Sequence, residues 1–382
     1  MRIGLFCDMY LPHVSGVTNH IGLYKRRFED LGHEVFVFTF GDTDYPDSEA
    51  GVVRTAGIPW GRTGWRFSLA YSAEARRLIR TLDVAHVHHP FQSGRLALPL
   101  CHRHGIPVVF TNHTRYDLYS DSYARGVPPW VRHGFLRVSL RRFTRKCDLV
   151  IAPASSIAEW LQEFCGFDDA VVVPNGIDVA RFASPESPME RAELGFAQDD
   201  FVFCYAGRLG PEKNTEWLAT EFALAAERTP VARLLVIGDG PSREDAEAEL
   251  VAHGVRDRVV FVGMTPYDRV AAYEAAADAF VTGSVSEVHP LVVLEAMAAG
   301  LPVIAVHSPG ISDTIEDGVS GLLAPAVEPG ALADRMVAVA TEPRLRSQLR
   351  DGARTAARAY ALEDTADVLL SHYERLAAAR DL

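Results

Sequence analysis

Short apolar runs and amphipathic stretches alternate along almost the whole chain, a pattern that predicts parallel sheets covered by helices on both faces. In the first half the apolar runs read as strands over Arg2–Asp8, Glu34–Phe40, Val84–His88, Pro107–Asn112 and Leu149–Ala154. In the second half they read as strands over Phe201–Ala206, Arg233–Gly238, Arg258–Val262, Ala279–Thr282, Pro302–Val306 and Gly321–Ala324. Pro174-Asn175-Gly176 lies between the two sets and is a turn signal of the kind that joins domains. The expected fold class is α/β, with one parallel-sheet domain over residues 1–174 and a second over 175–360. A last helix, over about Ala361 to Arg380, follows the completed second sheet. No internal repeat or low-complexity tract interrupts the pattern.

Two segments of the second half carry candidate chemistry. The stretch from Ser284 to Val306 holds Glu287 and Glu295 on either side of an apolar helix start. Pro290 suits a first helical position, and Gly300 with Pro302 closes the helix. The unbonded N–H groups and positive dipole end between the two carboxylates form an anion site. Carboxylates suit the hydroxyls of a ribose and a sugar, so the arrangement fits a nucleotide-sugar, although a solvated loop Glu and a helix-surface Glu would share the spacing. The second segment runs from the strand Phe201–Ala206 through Gly207 to Arg208 and on to Lys213-Asn214. It puts two cations on a strand-to-helix loop, at the carboxyl end of a sheet where ligands of open α/β folds bind. Such a pair can straddle a diphosphate and neutralise the charge growing on a departing nucleotide.

A basic segment lies in the first half. From Arg125 to Lys146 there are seven Arg or Lys and no Asp or Glu, in a chain of net charge −12. Arg137, Arg141 and Arg145 fall at i, i+4 and i+8 on one helical face, with Trp130, Val131, Phe135, Leu136, Val138, Leu140 and Phe143 interleaved. Such a segment can rest on an anionic membrane surface. It can equally be a packing helix with a solvated basic face. The net charge argues against a general nucleic-acid binder. Hydrophobic residues at 48% and charged residues at 23% fit a globular chain, and neither a spanning apolar run nor a leader is expected. Cys7, Cys101, Cys147, Cys165 and Cys204 are scattered without Cys-x-x-Cys spacing, which suits a reducing cytosol.

The residues from Gly207-Arg208 to Lys213-Asn214, together with the Glu287/Glu295 spacing, resemble the family-4 retaining glycosyltransferases. Val171-Val172-Val173-Pro174-Asn175-Gly176-Ile177-Asp178, with Arg181-Phe182 beyond it, is similar to that family's interdomain signature. The resemblance implies the GT-B fold, in which two Rossmann-like domains face a cleft and the last helix, here 361–382, crosses back to the first domain. The stretches Gly4 to Thr18 and Thr111 to Asp117 look like the lipid-directed branch, which makes diacylglycerol glucosides and phosphatidylinositol mannosides. The resemblance implies transfer of a hexose from UDP-glucose to diacylglycerol, or from GDP-mannose, or to a soluble acceptor. It places the chain in the cytoplasm, peripheral at the inner face of the cell membrane. His113 would contact the donor sugar or the reacting oxygens, Glu287 the sugar hydroxyls and Glu295 the ribose.

Gly16, in the first strand-to-helix loop, would allow close approach of donor phosphate or acceptor. The family carries an aromatic residue and a Gly after its first Glu, where this chain has His289-Pro290. Proline has no N–H, so the phosphate contacts there fall to Leu291 and Val292. No metal or other cofactor is expected, because Arg208, Lys213 and helix amides can neutralise the leaving diphosphate. Asp42-Thr43-Asp44 imitates a metal-binding pair but reads as a surface turn. His86 and His88 share a strand face without a Cys or carboxylate set to complete a site. Gly238-Asp239-Gly240-Pro241 reads as a loop lining the nucleotide side. A sugar-nucleotide epimerase of the same architecture and a non-catalytic nucleotide-sugar-binding module are the readings from other classes.

Overall fold

A seven-stranded parallel sheet forms from β1 (Arg2–Phe6), β2 (Glu34–Phe40), β3 (Val52–Thr55), β6 (Val84–Val87), β7 (Val108–Thr111), β8 (Leu149–Ala152) and β9 (Ala170–Val172), in the order β3-β2-β1-β6-β7-β8-β9. A small antiparallel pair, β4 (Ile58–Pro59) and β5 (Arg66–Phe67), stands apart from it. The second sheet is built from β10 (Phe201–Ala206), β11 (Ala232–Ile237), β12 (Val259–Gly263), β13 (Ala279–Thr282), β14 (Val303–Val306) and β15 (Gly321–Ala324), in the order β12-β11-β10-β13-β14-β15. The structure, a computed structural model, describes residues 1–59, 65–123 and 126–380. Arg125 of the basic segment and residues 381–382 of the last helix lie outside the described residues.

Both sheets are apolar on both faces because parallel strands are crossed by helices on each side. Along β10 the alternation is explicit. Phe201, Phe203 and Tyr205 enter one apolar cluster, while Val202, Cys204 and Ala206 enter the cluster on the opposite face. The strand therefore reads as one unbroken apolar run. Two edge strands of the first sheet lie outside the sequence expectation. The Val52–Thr55 strand is only half covered, and Ala170–Val172 is three residues long with Val172 45% exposed, so neither shows a long apolar run.

The chain divides into two compact units. One holds Met1–Asp117, Ala124–Gly176 and Leu362–Leu382, and the other holds Leu118–Tyr123 and Ile177–Ala361. The chain enters and leaves the second unit side by side, for Ile177 N–H donates to Tyr360 O at 2.9 Å and Ile177 pairs with Ala361. The last helix, Leu362–Arg380, is part of the first unit. It buries Leu362, Thr365, Ala366, Leu369, Leu370 and Tyr373, a helical stripe, and packs on the first helix Gly16–Asp30. Tyr24 O–H donates to Thr365 Oγ1 at 2.9 Å and accepts the Gly176 N–H at 3.0 Å, which ties that helix to the residue closing the first unit. No helix among the described residues is long and apolar enough to cross a membrane.

Candidate active site

In the second sheet the chain runs outward from β10 through β11 to β12, then crosses to β13 on the other side of β10. The loops after β10 and β13 therefore diverge at the carboxyl ends of neighbouring strands, and an open sheet of this kind binds ligands in that crevice. Gly207, at φ 142°, turns the chain out of β10 in a conformation that side chains oppose. The loop then closes through the short 3₁₀ turn Pro211–Lys213 onto Asn214, whose φ of 51° is left-handed and tolerated by Asn. Three side chains join this loop to the one after β13. Asn214 Nδ2 donates to Gly283 O at 3.0 Å, Ser286 Oγ to Glu212 O at 3.2 Å, and Lys213 Nζ to Glu287 Oε1 at 2.5 Å. Underneath, a methyl group added to Gly310 would lie 2.3 Å from Glu287 O, so only glycine lets the Glu287 loop settle there.

Each cation of the pair is matched by a carboxylate. Arg208 donates to Glu212, a residue the sequence reading passed over, and Lys213 donates to Glu287. The four side chains, when charged, sum to zero. Burial pushes the Glu287 carboxyl up, but the Lys213 ammonium and its hydrogen bond outweigh that and hold it below the usual value.

Glu295 sits differently. It lies on the helix Leu291–Ala299, more than one turn in, and is 2% exposed. Tyr267 O–H donates to its Oε1 at 2.7 Å. Burial raises its pKa to about 7, against the lowering effects of the Tyr267 hydrogen bond and the Arg181 charge. Behind it Glu274, fully buried, is raised well above the carboxylate range by burial and by Glu295. Pro290 occupies the N-cap rather than the first helical position, with ψ 116°. The difference shifts the first helical N–H groups to Leu291 and Val292. Val293 and Leu294 turn their N–H groups back to Pro290 O at 3.1 and 3.3 Å, whereas those of Leu291 and Val292 meet no acceptor among the described residues. His289 packs on Tyr360 with centroids 5.2 Å apart, and burial lowers its pKa to about 4, so its ring is neutral.

Gly16, His113 and the basic helix belong to the first unit. Gly16 opens the helix Gly16–Asp30, capped by Ser15 and Thr18 in a reciprocal pair. A methyl group there would meet nothing within 4 Å among the described residues. His113 follows β7 and lies against two histidines from other elements: His88, whose Nδ1 is 2.9 Å from His113 Nε2, and His20, whose ring centroid is 4.8 Å away. The basic segment forms the helix Pro129–Thr144, with Arg145 as its cap. It buries Ser139, Leu140, Phe143 and Thr144, and Phe143 meets Phe110 edge-on at 5.2 Å. Arg137, Arg141 and Arg145 remain exposed, and Arg137 lies over the Phe164 ring at 5.8 Å. Trp130 is 79% exposed, and Val131, Phe135 and Val138 form an exposed apolar stripe at i, i+4 and i+7. One helix thus packs into the fold and shows a basic, aromatic face outward.

Sequence spacing alone had no means of pairing Glu295 with Tyr267, 28 residues earlier, or His113 with His20. Glu212 had a signal, its i+4 spacing from Arg208.

Two α/β units of this topology define a GT-B protein, and a solved structure agrees. Anabaena HepE, crystallised with UDP and glucose, superimposes with a TM-score of 0.79 over 98% of this chain and 100% of that one, at 19% identity. Sequence profiles described as Glycosyltransferase Family 4 and Glycosyl transferases group 1 match residues 14–181 and 186–356. The alpha-monoglucosyldiacylglycerol synthase of Streptococcus pneumoniae is 32% identical over 334 residues, 85% of this chain and 75% of the relative. The D-inositol 3-phosphate glycosyltransferase of Nocardia farcinica is 33% identical over 313 residues, 78% of this chain and 68% of the relative. The chain belongs to the family-4 glycosyltransferases of the GT-B fold. It is a glycosyltransferase, and the epimerase and binding-module readings give way.

Proposed function

We propose that this glycosyltransferase moves glucose from UDP-glucose to diacylglycerol at the inner face of the cell membrane, with retention of anomeric configuration and without a metal. The observation that carries the reading is the pairing of Arg208 with Glu212 and of Lys213 with Glu287 at the β10/β13 crevice. The lipid acceptor draws support from the name of the Streptococcus pneumoniae relative and from the exposed basic, aromatic helix. The donor draws it from the UDP and glucose in the Anabaena structure.

In this mechanism the diphosphate meets Arg208, Lys213 and the N–H groups of Leu291 and Val292. The paired carboxylates hold both cations in place and temper their pull on the bound donor. The full attraction is then felt as charge grows on the leaving diphosphate. Glu295 takes the ribose hydroxyls and Glu287 the sugar hydroxyls, while His113 contacts the sugar and Gly16 leaves room at the first helix start. A second reading, transfer to a soluble inositol-type acceptor, has the Nocardia relative in its favour.

Donor and acceptor are tested together. The enzyme is offered UDP-glucose, GDP-mannose and other nucleotide-sugars in excess EDTA, with diacylglycerol vesicles, with inositol phosphate, or with neither. UDP-glucose consumption with the vesicles alone is the expected result. Consumption with inositol phosphate instead supports the second reading, and a strict need for Mg²⁺ or Mn²⁺ overturns the metal-free mechanism.

The Glu295 carboxyl provides a pH test. With a pKa of about 7 it is half protonated near neutrality, and ribose hydroxyls donating to it favour the ionised form. The donor KM is therefore expected to fall as pH rises from about 6 to about 8. In Glu295→Gln the KM is raised and this fall is lost. A wild-type KM that is flat over the range contradicts the ribose assignment.

A further inference from the structure

The Glu295 carboxyl is held from a second helix. Tyr267 O–H donates to its Oε1 at 2.7 Å, and Oε2 receives no hydrogen bond among the described residues. Tyr267 is the first residue of the helix Tyr267–Glu274, which starts beyond the carboxyl end of β12. The helix of Glu295, Leu291–Ala299, starts beyond the carboxyl end of β13, and the two helices pack on each other. Both therefore open at the ligand-binding end of the second sheet. Phe182 meets the Tyr267 ring edge-on, with centroids 6.3 Å apart, and so fixes the direction of the hydroxyl.

We propose that Tyr267 is a positioning residue for the transfer reaction: its hydroxyl holds Oε1 of the Glu295 carboxylate and leaves Oε2, with the second lone pair of Oε1, to the ribose hydroxyls. This role rests on Glu295 taking the ribose.

An ionised carboxylate has about four acceptor sites, so the bond from Tyr267 leaves enough for two vicinal hydroxyls. It also fixes a side chain that would otherwise lose rotamer freedom each time a donor bound. Burial of Glu295 opposes its charged form, and a hydrogen bond to that form offsets part of the cost. The phenol does not exchange roles with the carboxyl. Burial first, and then the charge of Glu295, hold it protonated far above its usual value, so Tyr267 is a donor throughout the neutral range.

Few other charges bear on the pair. Arg181, from the helix Val179–Ala183, favours the ionised carboxyl and is itself paired with Asp178 at 3.5 Å. Glu274 lies seven residues beyond Tyr267 on the same helical face, is fully buried, and is kept neutral by burial and by Glu295. The helix Pro343–Ala357 also packs on that of Glu295, and its Arg354 lies against Gly300, past the far end.

UDP and GDP share the ribose and differ in the base, so both are titrated calorimetrically into the protein from about pH 6 to about pH 9, across the Glu295 titration. Glu295→Gln supplies the pH dependence that belongs to the nucleotide alone. Against that baseline the wild-type Kd is expected to fall as Glu295 ionises around its pKa of about 7. In Tyr267→Phe the charged carboxyl loses a hydrogen bond, its pKa rises, and the fall moves to higher pH by about one pH unit. At pH 7 the ionised fraction then drops from about one half to about one tenth, and the Kd rises about fivefold. A ring that only filled space would raise the Kd equally at every pH. Replacing Tyr267 by 3-fluorotyrosine, a stronger donor of nearly the same shape, is expected to move the fall to lower pH, a direction that disturbed packing does not produce. Equal Kd profiles for Glu295→Gln and the wild type, or no binding of either nucleotide, overturn the ribose assignment and the role of Tyr267 with it. Weakened binding in Glu295→Gln, with the wild-type profile kept in both the phenylalanine and the fluorotyrosine proteins, overturns Tyr267 alone.

Discussion

Lys213→Ala is expected to lower turnover by roughly 10²-fold or more while the donor KM changes far less, and Arg208→Ala to do the same to a smaller extent. Both cations act on charge that appears as the diphosphate departs, so their loss falls on the transition state more than on the bound donor. The two substitutions differ in what they leave behind. Lys213 is the hydrogen-bonded partner of Glu287, whose side chain is only 14% exposed, so its removal strands a carboxylate beside the donor. Arg208, at 37% exposure, is closer to water. The Lys213→Ala/Glu287→Gln double variant is thus expected to lose less than the product of its single effects, the mark of two directly coupled groups. Steady-state kinetics of the wild type, the three single variants including Glu287→Gln, and the double variant decides the matter. Near-normal turnover in both alanine variants removes Arg208 and Lys213 from the reaction.

Changing Arg137, Arg141 and Arg145 together to Glu is expected to abolish binding to anionic vesicles and to leave nucleotide binding intact. Each cation close to an anionic surface contributes about 1 kcal/mol, so reversing three charges removes an attraction and installs a repulsion. The overall charge of −12 does not prevent binding, because screening at physiological salt confines each interaction to about 8 Å. The exposed Trp130, Val131, Phe135 and Val138 beside these arginines add an apolar contribution that salt leaves untouched. Wild-type binding therefore weakens as salt rises without vanishing. Co-sedimentation with neutral and anionic vesicles is the measurement. A wild-type protein that ignores both kinds of vesicle shifts the acceptor reading to a soluble molecule.

Much of the fold was legible because the interior strands are local, unbroken apolar runs. Phe201–Ala206 and Ala279–Thr282 end at the expected residues, and others differ by a residue or two. The two edge strands of the first sheet escaped because they are short and only partly covered, whereas the edge strand Gly321–Ala324 of the second sheet is buried throughout and was legible. In the second unit, the predicted residues lie within two loops and one helix start, and short-range spacing could reveal them. What escaped is contact between distant segments. Tyr267 meets Glu295 across the helix packing of that unit, and the largely buried Glu212 side chain pairs with Arg208. His20 sits on a helix whose pattern reads as ordinary surface and core. Only the crossing from β3 back to β6, on the other side of β1, brings it to His88 and His113.

The placement of Leu362–Arg380 with the first unit bears on how the protein is made. The second unit is nearly one continuous stretch, Ile177–Ala361, and can close as soon as that stretch leaves the ribosome. The first unit, although translated earlier, waits for Tyr373, whose fully buried ring packs on Phe28 and whose hydroxyl meets His86. Until then the groove for the last helix stays open, with Tyr24 and Phe28 facing water. The half made first is thus the half finished last, because the face of the helix Gly16–Asp30 is covered only by the last residues to be made.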